Sequence, residues 1–203
     1  AASDVYKRQA GDNEAADIGA INAVCAAVGP TISVKVDANQ AWTVSQTLRI
    51  AAQLRAPNLI AIEQPMPDWQ LLSLPLLRAQ SPVALMLDES IHNAHDAADA
   101  IRLNAADLIN IKLAKSGGLF GAAAIDATAA AAGVPCMVGC NAETRLGTAA
   151  SAHFIAAHEN VHYGDIDSFM LLAETDWLSG GFTADGPTLT LSDRPGLGVD
   201  VRL

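Results

Sequence analysis

The sequence predicts an α/β protein whose strand–helix units repeat and curl into part of a parallel, TIM-like barrel. Three observations lead there. Six short apolar runs recur, at 33–37, 59–63, 83–88, 108–113, 135–140 and 161–167, each of the kind that is buried on both faces of a parallel sheet. Alanine-rich, helix-compatible segments lie between them, at 45–56, 95–104, 119–132 and 148–158, with Gly, Pro, Asn and Asp at the joints. Polar residues at the run ends keep a period: Asp37, Glu63, Asp88, Lys112, Cys140 and Asp165 follow one another at intervals of 26, 25, 24, 28 and 25. One strand, loop, helix and loop occupy about that length, and right-handed repetition closes such units into a barrel.

Taken in order, the head over 1–10 fits no periodic pattern and reads as foreign to the rest. Residues 11–178 carry the six units. A closed barrel needs eight strands and typically ~250 residues, so about six of eight are expected. From 179 to 203, Gly180-Gly181, Asp185-Gly186-Pro187 and Pro195-Gly196 alternate with short β-like runs, an irregular β-rich extension.

Composition narrows the function. With 51% hydrophobic and 17% charged residues over 203 positions, the chain is not disordered. A net charge of −10 argues against a nucleic-acid partner, which needs a basic face. No apolar run approaches the ~18 residues of a membrane span, and no basic-then-apolar start marks a signal peptide. Cys25, Cys136 and Cys140 are too few for a disulfide scaffold, which points to a reducing cytoplasm.

Three acids end three successive runs: Asp37 in VKVDAN, Glu63 in IAIEQP and Asp88 in LMLDES. In a parallel barrel the C-terminal strand ends meet on one face, where three carboxylates repel one another unless a cation sits between them. A hard divalent ion such as Mg²⁺ takes oxygen ligands; the alternative is that each acid caps the following helix. Lys112, inside the apolar run LINIKL, cannot bury its charge cheaply and must face a carboxylate or a substrate proton. A plain structural ion pair is the competing account. Lys115, three residues on, reads as part of the loop through Gly117-Gly118. Strand alternation puts Asp165 and Asp167 on one face, where they suit a ligand ammonium group. Glu143 is either a further site carboxylate or a helix-start residue. Cys136-x-x-x-Cys140 lacks the second pair of a zinc site, and His92-x-x-His95 lacks an acid motif.

VKVDANQAWT, AIEQPMP, LMLDES and INIKLAKSGGL, in this order and spacing, resemble the muconate-lactonising branch of the enolase superfamily. The resemblance runs from about Gly11 to the C-terminus. It implies a (β/α)₇β barrel whose third, fourth and fifth strands hold one Mg²⁺ through Asp37, Glu63 and Asp88. It implies Lys112 as one of two opposed acid–base lysines, and Asn39 and Glu89 as supports beside the ligands. Asp165-x-Asp167 looks most like the dipeptide epimerases, where such a pair binds the α-ammonium of an L-Ala-D/L-Glu-type dipeptide and Glu143 matches a seventh-strand acid. The implied reaction removes an α-proton through a metal-stabilised enediolate, a pattern general to this superfamily. The family's K-x-K pair at the second strand is not recognisable, although Lys7 falls near one of its positions, and the N-terminal capping domain has no counterpart here. The resemblance leaves a homo-oligomer open for a full-length parent. Rival expectations are muconate cycloisomerisation, o-succinylbenzoate synthesis or N-acylamino-acid racemisation, and a non-catalytic barrel fragment.

Overall fold

The computed structural model describes residues 6–9 (by their backbone), 13–54, 56–173 and 176–202. Seven parallel strands form one sheet in chain order: β1 (Tyr6–Gln9), β2 (Val34–Asp37), β3 (Leu59–Glu63), β4 (Leu85–Leu87), β5 (Leu108–Ile111), β6 (Cys136–Gly139) and β7 (Val161–Asp165). Parallel neighbours need crossovers. These are α1 (Glu14–Val28), α2 (Val44–Ala51), α3 (Leu74–Gln80), α4 (Ala94–Arg102), α5 (Leu119–Ala131) and α6 (Arg145–Ala157). All six expected strands form. β1 adds a seventh, one more than the six of eight read from the sequence. The segment YKRQ has no apolar run to announce it; what defines it is backbone pairing along β2, with Lys7 level with Lys35 and Gln9 level with Asp37. The rest of the 1–10 head lies outside the described residues, as does Gly11.

The sheet is curled, and one ion pair shows it. In a flat sheet β2 and β7 would stand five strands, about 24 Å, apart at ~4.8 Å per strand. Yet Lys35 Nζ on β2 lies 3.0 Å from Asp165 Oδ2 on β7. The two sheet faces differ accordingly. Outward residues such as Val34, Val36, Ile62, Leu85 and Ile109 pack against Ile21, Ile50, Leu77, Ile125 and Phe154 of the helices in one large cluster. Inward, Ala61, Met86, Leu108 and Met137 make a small apolar plug. Strand alternation stacks Glu63, Asp88, Asn110 and Lys112 on the same face, toward the C-terminal ends.

Helix starts are chemically marked. Asn13 Oδ1 accepts the Ala15 and Ala16 N–H groups, Asn93 Oδ1 those of His95 and Asp96, and Thr43 and Gln46 bond reciprocally across the start of α2. His95 is therefore a helix-start residue. The tail forms two antiparallel pairs, β8 (Leu178–Gly180) with β11 (Val199–Val201) and β9 (Phe182–Asp185) with β10 (Thr188–Leu191). Arg145 on α6 secures it, donating to Gly180 O and Phe182 O at 2.6 Å each with its guanidinium 4.3 Å above the Phe182 ring. Among the described residues no helix is long and apolar enough to cross a membrane.

Candidate active site

The inward-facing acids converge on the C-terminal end of the sheet. Asp37 closes β2 and Glu63 closes β3, level with each other in the strand register, and Asp88 follows β4 by one residue. All three are buried, at 0%, 0% and 1% exposure. Leaving water pushes the Glu63 carboxyl above the usual carboxylate range, and the charges of Asp37 and Asp88 add to the rise against the opposing pull of Lys35. Lys112, one residue past β5, reaches the same cluster, with its Nζ 2.6 Å from Asp88 Oδ2. Asp37, Glu63, Asp88 and Lys112 thus sit at one end of the sheet, with Lys112 against Asp88.

Two lysines complete the cluster that sequence reasoning passed over. Lys35, wholly buried, pairs with Glu63 as well as with Asp165. Lys115 stands in the loop after β5, as its sequence position implies, and its ammonium donates to Asp88 O, to Asp88 Oδ1 at 2.6 Å and to Asn110 O at 3.0 Å. The chain folds back there because Ser116 N bonds Lys112 O and Gly118 N bonds Leu113 O, while Gly117 and Gly118 take φ of +75° and +85°. Burial pushes the Lys115 ammonium pKa down. Burial alone would raise Asp88, but Lys115 and Lys112 outweigh it and hold that carboxyl below its ordinary value. The signal for Lys35 was present: it sits two residues before Asp37, on the same strand face, in an apolar run.

Polar residues brace the acids. Asn110 Nδ2 donates to Glu63 Oε1 at 2.6 Å. Gln64, buried at φ +33°, accepts the N–H groups of Asp88 and Ser90 at its Oε1 and donates to Met66 O and Ser90 Oγ. Asn39 supports Asp37 through its backbone, whose N–H donates to Asp37 Oδ1 at 2.8 Å, while its side chain is exposed at φ +43°. Glu89 is half-buried, with Oε2 unpartnered.

The expectation for Asp165 and Asp167 divides. Asp165 ends β7 and faces the interior, bound to Lys35. Asp167 is exposed at φ −90°, ψ −4°, at the start of a 3₁₀ segment over Ser168–Leu171. The strand stops before alternation can place it beside Asp165. Glu143 lies in the loop before α6. Its N–H donates to Ser168 Oγ, Oε1 accepts from Asn141 N–H, and Oε2 is buried without a hydrogen-bond partner.

The donor chemistry, three buried carboxylates on adjacent strand ends, suits a hard divalent cation. Among the described residues, however, no three His, Cys, Asp or Glu side chains stand close enough to hold a metal ion. Lysines occupy two of the three acids instead: Glu63 pairs with Lys35, and Asp88 with Lys112 and Lys115.

This arrangement has relatives. The L-Ala-D/L-Glu epimerase of Bacillus subtilis (strain 168) is 37% identical over 190 residues, 93% of this chain and 52% of that protein. The hydrophobic dipeptide epimerase of Enterococcus faecalis is 36% identical over 198 residues, 97% of this chain and 56% of that protein. A substrate-liganded structure of the B. subtilis epimerase superposes with a TM-score of 0.92 at 35% identity, covering 98% of this chain and 56% of that one. A dipeptide epimerase from Cytophaga hutchinsonii, complexed with Mg and D-Ala-L-Val, gives 0.91 at 30%, covering 98% and 54%. The chain spans about half the length of the curated relatives it matches. With the family model matched over residues 4–203, the curled parallel sheet and its buried acids are those of a member of the enolase C-terminal domain-like family, to which this chain belongs.

Proposed function

We propose that the chain is the barrel part of a Mg²⁺-dependent isomerase that removes the α-proton of a dipeptide of the L-Ala-D/L-Glu type. The observation that carries this reading is the burial of Asp37, Glu63 and Asp88 at three successive strand ends with Lys112 against them and Asp165 across the interior. Asp37, Glu63 and Asp88 would hold the ion, whose charge offsets the negative charge that develops on a substrate carboxylate as the α-proton leaves. Lys112, as its neutral amine, is the group that takes that proton, becoming the ammonium; its position 2.6 Å from Asp88 Oδ2 sets it beside the acids. Asp165 offers a carboxylate to the substrate's α-ammonium, and Glu143 and Asp167 line the same end. Asn39 and Glu89 flank the ligands.

Asp165, an acid placed for an α-ammonium, favours this substrate class above the muconate and N-acyl substrates of other relatives, which match as much of this chain. The test is α-proton exchange of L-dipeptides in D₂O, followed by NMR with and without Mg²⁺. Exchange that needs Mg²⁺ and disappears in Lys112→Ala supports the reading. A folded chain that exchanges nothing, or exchanges equally in Lys112→Ala, refutes it. Lys112 serves one face of the carbanion; sustained loss of optical rotation from a single epimer would show a second base, with Lys7 the first to mutate.

A further inference from the structure

Lys35 is the most deeply buried cation in the described structure. Its residue is 0% exposed, and its Nζ touches acids from two distant strands: Glu63 on β3 and Asp165 on β7, the latter at 3.0 Å. Its level in the sheet follows from register. Lys35 pairs with Ala61, one side-chain layer below the Asp37–Glu63 pair, and the small alanine leaves room for the lysine stem beneath Glu63. Glu63 Oε1 meanwhile accepts from Asn110 Nδ2. Both oxygens of this carboxylate are therefore engaged by the protein itself.

We propose that Lys35 is an internal counter-cation: it holds Glu63 and Asp165 together when no divalent ion is bound, and competes with that ion for Glu63. This rests on the reading of Asp37, Glu63 and Asp88 as the metal acids. Buried carboxylates without a cation repel one another and lose hydration together, so a built-in ammonium keeps the metal-free sheet closed. The same ammonium opposes an arriving dication, because like charges in a poorly hydrated interior interact strongly. Lys35 is thus a positioning residue that sets metal affinity and ties the metal acids to the acid on β7.

The test compares the wild-type chain with Lys35→Met, which keeps the stem and removes the charge. Mg²⁺ is titrated calorimetrically, and thermal unfolding is followed in EDTA and in saturating Mg²⁺. The expected result is Mg²⁺ binding on the order of ten-fold tighter in the variant, with a loss of thermal stability in EDTA that Mg²⁺ largely restores. A variant folded only in Mg²⁺ supports the inference equally. Unchanged or weaker Mg²⁺ binding overturns it, as does an equal stability loss in EDTA and Mg²⁺ or a variant unfolded in both, since a purely structural lysine behaves so. If folded wild-type and variant both give no heat, the metal reading itself falls and the inference with it. A wild-type that binds beside a variant with unchanged affinity overturns the inference alone.

Discussion

Replacing Lys115 by methionine isolates one buried charge. The ammonium has three protons and three described acceptors: Asp88 O, Asp88 Oδ1 at 2.6 Å and Asn110 O at 3.0 Å. Methionine keeps most of the volume and removes all three bonds. Breaking a buried pair by deleting one partner costs about 3–5 kcal/mol. Two terms reduce that here. Lys112 still contacts the other oxygen of Asp88 at 2.6 Å, and the repulsion between the two lysines disappears. The expected loss is therefore about 2–3 kcal/mol, or roughly 4–12 °C in melting temperature at the 2–4 °C per kcal/mol usual for a chain of this size. Urea unfolding followed by circular dichroism measures it, with the m-value as the check on two-state behaviour. Lys112→Met, which gives up a single described ion pair, should lose less. A Lys115→Met loss below about 0.5 kcal/mol, or a larger loss in Lys112→Met, would refute the assignment of Lys115 as the principal support of Asp88.

Gly139→Ala places a methyl 2.7 Å from Asn110 Oδ1 and 2.8 Å from its Nδ2; expelling Asn110 from Glu63 should cost about 1–3 kcal/mol in urea unfolding, and the cost should shrink in an Asn110→Ala background. Burial raises the pKa of all three thiols, furthest at Cys136, where the Asp126 charge adds to it. The thiolate is thus scarce at pH 8, and a thiol reagent should react slowly with the native chain yet reach all three cysteines in urea; rapid native labelling at Cys136 would contradict the described burial. Leu77→Ala, at 0% exposure in the core, should cost about 2–5 kcal/mol, whereas Phe120→Ser, at 95% exposure, should stay within about 0.5 kcal/mol by the same assay.

Much of this was legible along the chain. An apolar run must be buried on both faces, so 33–37, 59–63, 83–88, 108–113, 135–140 and 161–167 each contain an observed strand, and the regular spacing of their polar ends implied parallel strands sharing one C-terminal edge. Asp37, Glu63, Asp88 and Lys112 follow from that periodicity, since a charged residue closing an apolar strand has few places to go. β1 escaped because YKRQ has no burial pattern of its own and is defined by pairing with β2. The direction of Asp167 was not legible from alternation, which extends only as far as the strand, and β7 ends at Asp165.

Local chemistry thus decided which segments become strands and helices and where each helix starts, because caps, apolar periodicity and glycine turns act over a few residues. Ion pairing was decided elsewhere. Lys35 and Asp165 are 130 positions apart and meet because the sheet curls. Lys115, three residues after Lys112, turns back to Asp88 only because the loop after β5 folds over the end of β4. Charge attraction fades within about 8–10 Å in salt water but is strong in a buried interior. Which lysine neutralises which acid is therefore set by the tertiary fold that removes both from water.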